Sequence, residues 1–128
     1  MLNLKPTEKQ AIQSISQCLF EAEVQLHILH LQAIAKSFEI HTAIDDLYDA
    51  LVDLNDDLVE KSYPKVGLLT AYKDIKVSNN INALPYVENL FAELEKYRTF
   101  VQTGYIQQMI DNILEKVAHT IYKLTNLQ

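Results

Sequence analysis

The sequence has little that would build a β-rich or cross-linked protein. Its 128 residues include one cysteine, no tryptophan, two glycines and three prolines. Because Cys18 is alone, a disulfide within the chain and a paired-cysteine zinc or redox site are excluded. Scarce turn-forming residues and many Leu, Ile, Ala, Glu and Gln favour long helices with few connections. We therefore expect one all-α domain over residues 1–128.

Long apolar runs and basic clusters are missing as well. No apolar run reaches the roughly 18 residues of a membrane span, and the N-terminus lacks the apolar core of a signal peptide. The formal net charge of −6 disfavours binding to a phosphate backbone. The expectation is a cytoplasmic protein that binds neither membranes nor nucleic acid.

Two long helices joined by a short turn are predicted for the first half of the chain. The first should begin near Pro6, with Thr7 or Lys5 at the boundary, because proline suits a first helical turn. Ser37 is a good N-cap for the second, since its hydroxyl can accept from a free backbone N–H. Apolar residues follow steps of three and four along each helix: Ile12, Ile15, Leu19, Ala22, Leu26, Leu29 and Ala33, then Ile40, Ile44, Leu47, Leu51, Leu54 and Leu58.

The first helix carries more apolar residues than one buried face requires. Phe20, Val24, Ile28 and Leu31 lie off the stripe of the first helix. This pattern predicts that the helix buries a second face, either within its own bundle or against another chain.

The helical pattern breaks between Ser62 and Pro85, which predicts a long crossover. Within it, residues 66–73 have one apolar side and could form a short helix. A third helix is expected from about Tyr86, with Gly104 as its stop or kink, and a fourth helix runs to the C-terminus. Two hairpins joined by one long crossover describe a ferritin-like four-helix bundle.

The second helix is unusually acidic. Between Ser37 and Glu60 there is no Lys or Arg but a series of eight acids: Glu39, Asp45, Asp46, Asp49, Asp53, Asp56, Asp57 and Glu60. Acids four apart on a helix repel by roughly 0.2–0.5 kcal/mol per pair. An acidic helix face is usually solvated surface. The acids near the C-terminal end of this helix, however, also interact unfavourably with the negative end of the helix dipole. A local rule broken without a structural gain indicates a function, and we expect something cationic to offset these acids.

Two pairs of residues on the second helix have the spacing expected of metal ligands. His41 and Asp45 lie one helical turn apart, and so do Asp56 and Glu60. The eleven residues from Asp45 to Asp56 separate the pairs by roughly 16 Å, too far to share one ion. Two copies crossing antiparallel about a two-fold axis would bring the pairs together twice, with His30 reaching the same edge. Two imidazoles and three carboxylates suit Fe(II), Mn(II) or Zn(II), and iron is favoured for oxidation chemistry.

The segments LHILHLQ and SFEIHTAIDDLYDALVDLNDDLVEK resemble the signature of the Dps miniferritins. In that family a histidine of the first helix precedes His-x3-Asp-x10-Asp-x3-Glu on the second, matched here by His30, His41, Asp45, Asp56 and Glu60. The resemblance covers residues 24–61. It implies a ferroxidase centre at a dimer interface, with these five residues as metal ligands and catalytic residues. It also implies a twelve-subunit shell that oxidises Fe(II), typically with hydrogen peroxide, and stores ferric iron.

Two functional classes remain open. The first is an iron-oxidising, iron-storing miniferritin that uses iron, with zinc or manganese possible in its place, and protects against oxidative stress. The second is a non-enzymatic ferritin-like assembly protein with a vestigial or structural metal site. Leu31, where the family usually has tryptophan, and a short C-terminal half favour the second class, whereas the intact ligand set favours the first. His27, His119, Tyr48 and Cys18 are interpreted as interface, surface or packing residues.

Overall fold

The computed structural model describes residues 4–127, which form four α-helices. Their bounds are α1, Glu8–Gln32; α2, Phe38–Val66; α3, Ala83–Arg98; and α4, Gly104–Asn126. None of these helices, within the part of the chain described, is long and apolar enough to cross a membrane. The prediction of an all-α four-helix bundle is confirmed.

The first hairpin is closed by caps that the sequence encodes locally. Thr7 is the N-cap of α1 and forms a capping box with Gln10, so Pro6 lies just outside the helix. The Ser37 hydroxyl accepts from the Ile40 N–H at 3.3 Å and caps α2 as predicted. Between α1 and α2, a single 3-10 turn, Ala33–Ala35, reverses the chain direction. The end of α1 therefore lies directly against the beginning of α2.

The predicted short helix at residues 66–73 is wrong beyond Val66, where α2 ends. Residues 68–82, named here the strap, contain no helix and lie along α1. Gly67 ends α2 with a positive φ of 80°, which glycine adopts at little cost because it lacks a Cβ. Hydrogen bonds from α1 side chains to the strap replace the bonds that a helix would make internally. A helix of about eight residues with one apolar side is too short to be stable by itself, so these hydrogen bonds decide the conformation of the segment.

The third helix begins and ends earlier than the sequence suggested. Helix α3 starts at Ala83, and Gly104 is the first residue of α4 rather than the stop of α3. Arg98 closes the connection with a bidentate ion pair to Asp111 (Nε–Oδ1 2.6 Å, Nη2–Oδ2 3.0 Å). The side chain of Glu8 accepts from the backbone N–H groups of Gln102 and Thr103, which ties α1 to the start of α4.

The strap returns the chain to the end of the bundle where α1 ends, so α3 packs beside α1 and runs antiparallel to it. Each helix packs against two neighbours in the ring order α1, α2, α4, α3, as a bundle with one long crossover requires. The core fills the centre, with fully buried side chains from all four helices: Ile12, Ile15, Leu19, Leu26, Ile44, Leu47, Leu51, Leu58, Leu94, Ile106, Ile110 and Ile113.

Candidate metal centre

Two imidazole rings meet where α1 passes into α2. His30 lies in the last turn of α1 and His41 in the first turn of α2. Their rings stack with centroids 3.6 Å apart and planes inclined by 20°. The short turn at Ala33–Ala35 produces this contact, because it leaves no room for the two helix ends to separate.

The hydrogen bonds of these rings define which nitrogen is free. His41 Nδ1 donates to the backbone oxygen of His30 at 2.7 Å, and His30 Nδ1 donates to the backbone oxygen of His41 at 3.0 Å. A carbonyl oxygen can only accept, so both Nδ1 atoms carry the proton. In the neutral rings both Nε2 atoms therefore keep a lone pair. Holding an imidazole by Nδ1–H and a backbone oxygen is a common way to orient a metal-ligating histidine.

Asp45 provides a carboxylate beside the paired rings. It lies one turn after His41 on α2, and its Oδ1 is 3.9 Å from His30 Nε2. The His30 side chain is 12% exposed and that of Asp45 is 42% exposed, so the carboxylate faces outward from a partly buried imidazole. Three of the five predicted ligands are thus brought together at one end of the first hairpin.

Tyr48 packs against this cluster. Its ring stacks on His27 at 4.7 Å and meets His30 edge-on at 5.4 Å. A hydrogen bond from its hydroxyl to Asp45, helped by burial and by the charges of Asp45 and Asp49, raises the pKa of Tyr48. Tyr48 thus packs between the imidazoles of His27 and His30, as the packing role predicted from the sequence requires.

Asp56 and Glu60 lie elsewhere on the same chain. Both are exposed, and α2 is one continuous helix from Phe38 to Val66, so the separation of roughly 16 Å between Asp45 and Asp56 holds. Within residues 4–127, no set of three or more His, Cys, Asp or Glu side chains is arranged to hold a metal ion. The single chain therefore contains two separate groups of candidate ligands.

Glu23 accompanies the second group and was missed from the sequence. Burial raises the pKa of this α1 carboxyl, a hydrogen bond with Asn55 opposes that effect, and the neighbouring charge of Asp56 adds to it. The available signal was its position on α1, one turn before His27 and two turns before His30, on the same side of the helix.

The cations that offset the acidic helix are few. Lys123 Nζ lies 3.4 Å from Asp46, and Lys61 Nζ lies 3.6 Å from Asp57. Across the described residues, no Lys or Arg forms an ion pair with Asp45, Asp56 or Glu60. Among the described residues the other acids of the series, Glu39, Asp49 and Asp53, likewise have no ion pair with Lys or Arg, so most of the repulsion along α2 is not offset within one chain.

Apolar side chains lie exposed around the candidate ligands. Leu31 follows His30 directly and is 53% exposed, and Phe38 at the start of α2 is 76% exposed. Further exposed apolar residues are Ile34, in the turn between the two helices, and four on the helices themselves: Phe20, Val24, Val52 and Tyr63. Val24 and Leu31 are exposed in the single chain, whereas the ring of Phe20 is contacted edge-on by Tyr72 at 5.3 Å. Burial of this second face against another chain stays a prediction.

The fold and the site together define a four-helix bundle with a paired-imidazole cluster at one end of its first hairpin. A family model described as "Family of unknown function (DUF5856)" matches residues 30–124, and the chain belongs to this family. The matched region starts at His30 and contains all five candidate ligands. Neither a curated protein nor a solved structure matches the chain.

Proposed function

We propose that this protein is a miniferritin that binds and oxidises Fe(II) at centres shared between two copies and stores the ferric product. The observation that supports this most directly is the His30–His41 pair, whose Nδ1 atoms are both held by backbone oxygens and whose Nε2 atoms are both free to bind. Ordinary packing explains stacked rings, but it does not require both rings to keep the same nitrogen available.

A second copy supplies the remaining ligands in this proposal. Asp56 and Glu60 of the partner lie against His30, His41 and Asp45 when two first hairpins cross antiparallel about a two-fold axis, and the symmetry produces two equal sites. Exposed apolar side chains such as Val24 and Leu31 then become interface residues. The mutual repulsion of the acids on α2 is relieved when a divalent cation binds between them.

The ligand set selects the substrate. Two imidazole nitrogens and three carboxylates suit Fe(II), and oxygen donors favour the ferric product still more. With hydrogen peroxide as oxidant, two ferrous ions each lose one electron. The O–O bond breaks, and with two protons it yields two water molecules.

Oxidation of Fe(II) by peroxide, followed by ferric absorbance, tests the proposal. Wild-type protein should oxidise iron well above the buffer rate, and His41→Ala with Asp45→Ala should lower the rate to that of buffer, since each removes a ligand. The control, Asp53→Ala with His119→Ala, removes the same residue types away from the cluster and should keep the wild-type rate. Wild-type protein no faster than buffer would refute the enzymatic proposal.

The assembly state is tested separately by light scattering. We propose a dimer as the unit that completes the site and a dodecameric shell as the storage form. A non-enzymatic assembly protein is the second candidate, favoured by Leu31 in place of tryptophan. That candidate predicts an assembled protein that binds one ion per site without oxidising it.

A further inference from the structure

The strap and α1 are joined by side-chain amides that bind backbone groups in pairs. Gln17 Oε1 accepts from the Lys73 N–H at 2.9 Å, and its Nε2 donates to the Lys73 oxygen at 3.1 Å. Gln25 repeats the arrangement with Ser78, at 2.7 and 2.8 Å. Each glutamine thus replaces the two hydrogen bonds that a neighbouring strand would provide.

Three more α1 side chains continue the series along the same side of the helix. Each accepts from one backbone N–H of the strap: Gln13 from Ala71 at 2.9 Å, Glu21 from Lys76 at 3.3 Å and Gln32 from Asn80 at 2.8 Å. The five residues Gln13, Gln17, Glu21, Gln25 and Gln32, four with amide side chains and Glu21 with a carboxylate, are named here the amide ladder. The strap therefore runs parallel to α1 over the length of the ladder.

The spacing of the ladder follows from the dimensions of the two structures. Four residues of helix rise about 6 Å, and two residues of extended chain span about 6.6 Å. From Gln13 to Gln25, side chains four residues apart on the helix therefore meet the extended chain at every second or third residue. Gln32 follows seven residues after Gln25. Gln13 to Gln32 covers about 28 Å of helix, and residues 71–80 cover about 30 Å of extended chain.

The amide ladder forms hydrogen bonds mainly with backbone atoms of the strap. Residues 71–80 are all exposed, and among the described residues their backbone makes no hydrogen bond to another backbone group. Tyr72 adds a side-chain contact, since its hydroxyl lies 2.8 Å from Ser16 Oγ and its ring meets Phe20 edge-on at 5.3 Å. Gln32 also donates to the Asn79 side chain at 3.1 Å. The strap is thus held by side-chain contacts and not by bonds between two backbones.

We infer that the amide ladder is a binding surface for an extended peptide, and that the strap is its displaceable resident. The partner that fits is an extended segment of another chain with free N–H groups at the positions read and a tyrosine in the place of Tyr72. Outside that tyrosine the ladder sets little sequence requirement, because it binds the main chain as a sheet edge does. This inference does not depend on the proposed iron chemistry.

Binding in trans tests the inference on a full-length variant. Residues 70–80 are replaced by eleven Gly and Ser residues, and a synthetic peptide of residues 69–81 is added while binding is followed by NMR. The peptide should bind, and a peptide scrambled around Tyr72 should bind within about threefold. N-methylation of Lys73 and Ser78 should weaken binding about tenfold or more, since it removes two donors. Equal binding of the methylated peptide, or no binding of the native one, overturns the inference.

Hydrogen exchange on the intact chain gives a second answer if the linker variant does not fold. Gln17→Leu with Gln25→Leu should speed exchange of the Lys73 and Ser78 amides about tenfold or more while helix amides keep their protection. The control, Gln108→Leu, changes an exposed α4 glutamine that bonds only Asn112 and should leave the strap unaffected. Unchanged exchange in the double variant contradicts a ladder that holds the strap.

Discussion

Both helical hairpins bury one apolar face in the common core, but they differ in the hydrophobic side chains that remain exposed to solvent. In α3 and α4, among the residues described, the large exposed hydrophobic side chains are Tyr105 and Tyr122, whose hydroxyls water can satisfy. In α1 and α2 they include Val24, Leu31 and Phe38, which have no polar atom to offer. Three of the four histidines also belong to the first hairpin.

This difference assigns separate tasks to the two hairpins. The second completes the core of one chain, because one face of each helix is buried and the other is satisfied by water. The first contributes to the same core and also presents an apolar and acidic outer face that one chain leaves uncovered. Candidate chemistry and candidate assembly therefore lie on the same surface, as expected for a site completed by a second copy.

The largest effect is expected in the core of the second hairpin. Ile110 on α4 is fully buried, so Ile110→Ala should lower the free energy of unfolding by about 2–5 kcal/mol through lost transfer energy and a cavity. Urea unfolding measures the loss. Gln108→Ala, an exposed neighbour, should stay within about 0.5 kcal/mol, and a comparable loss there would contradict the burial pattern.

A smaller effect, on association and not on folding, is expected at the outer face of the first hairpin. Val24→Ser with Leu31→Ser should weaken dimerisation about tenfold or more, because these side chains lose burial against the partner. Sedimentation equilibrium measures the dimer constant, and circular dichroism should show an unchanged fold. Tyr122→Ser serves as the control on the second hairpin. Equal dimer constants for all three proteins would remove the distinction between the hairpins.

The smallest effect is expected at Glu8, which joins the two hairpins. Burial alone would raise the pKa of Glu8, but hydrogen bonds from the Thr103 hydroxyl and the Gln102 and Thr103 N–H groups lower it below its ordinary 4.5. The folded state thus favours the charged form. Glu8 contributes stability above pH 4.5, and that contribution is lost as the pH falls through the lowered value.

Glu8→Ala should therefore cost about 1 kcal/mol at neutral pH, a value typical of a lost helix cap. The cost should shrink towards zero in acid, because the wild-type carboxylate is then protonated. Urea unfolding of both proteins across pH 3–7 checks this, and a cost that stays constant over that range would contradict the assigned hydrogen bonds.

The sequence predicted those features that depend on nearby residues. The Ser37 cap, the apolar stripes of the helices and the one-turn spacing of His41 and Asp45 are local patterns, and the structure confirms them. The shared metal centre stays a prediction, because it depends on a second chain.

Features that depend on distant parts of the chain were not predicted. The strap is extended because glutamines on α1, more than fifty residues earlier, satisfy its backbone. The reciprocal Nδ1 bonds of His30 and His41 depend on the path of the turn between α1 and α2, which sequence spacing does not specify. The carboxyl groups of Glu23 on α1 and Asp56 on α2 come near each other only because the two helices pack together.

Complementation between two inactive variants tests the shared site most directly. His41→Ala/Asp45→Ala and Asp56→Ala/Glu60→Ala should each fail to oxidise Fe(II). After the two are mixed and subunits exchange, half of the dimers contain one chain of each kind, and each such dimer has one intact site. The mixture should therefore recover roughly a quarter of the wild-type rate. A mixture of exchanged subunits that remains as inactive as either variant would contradict a centre built from two chains.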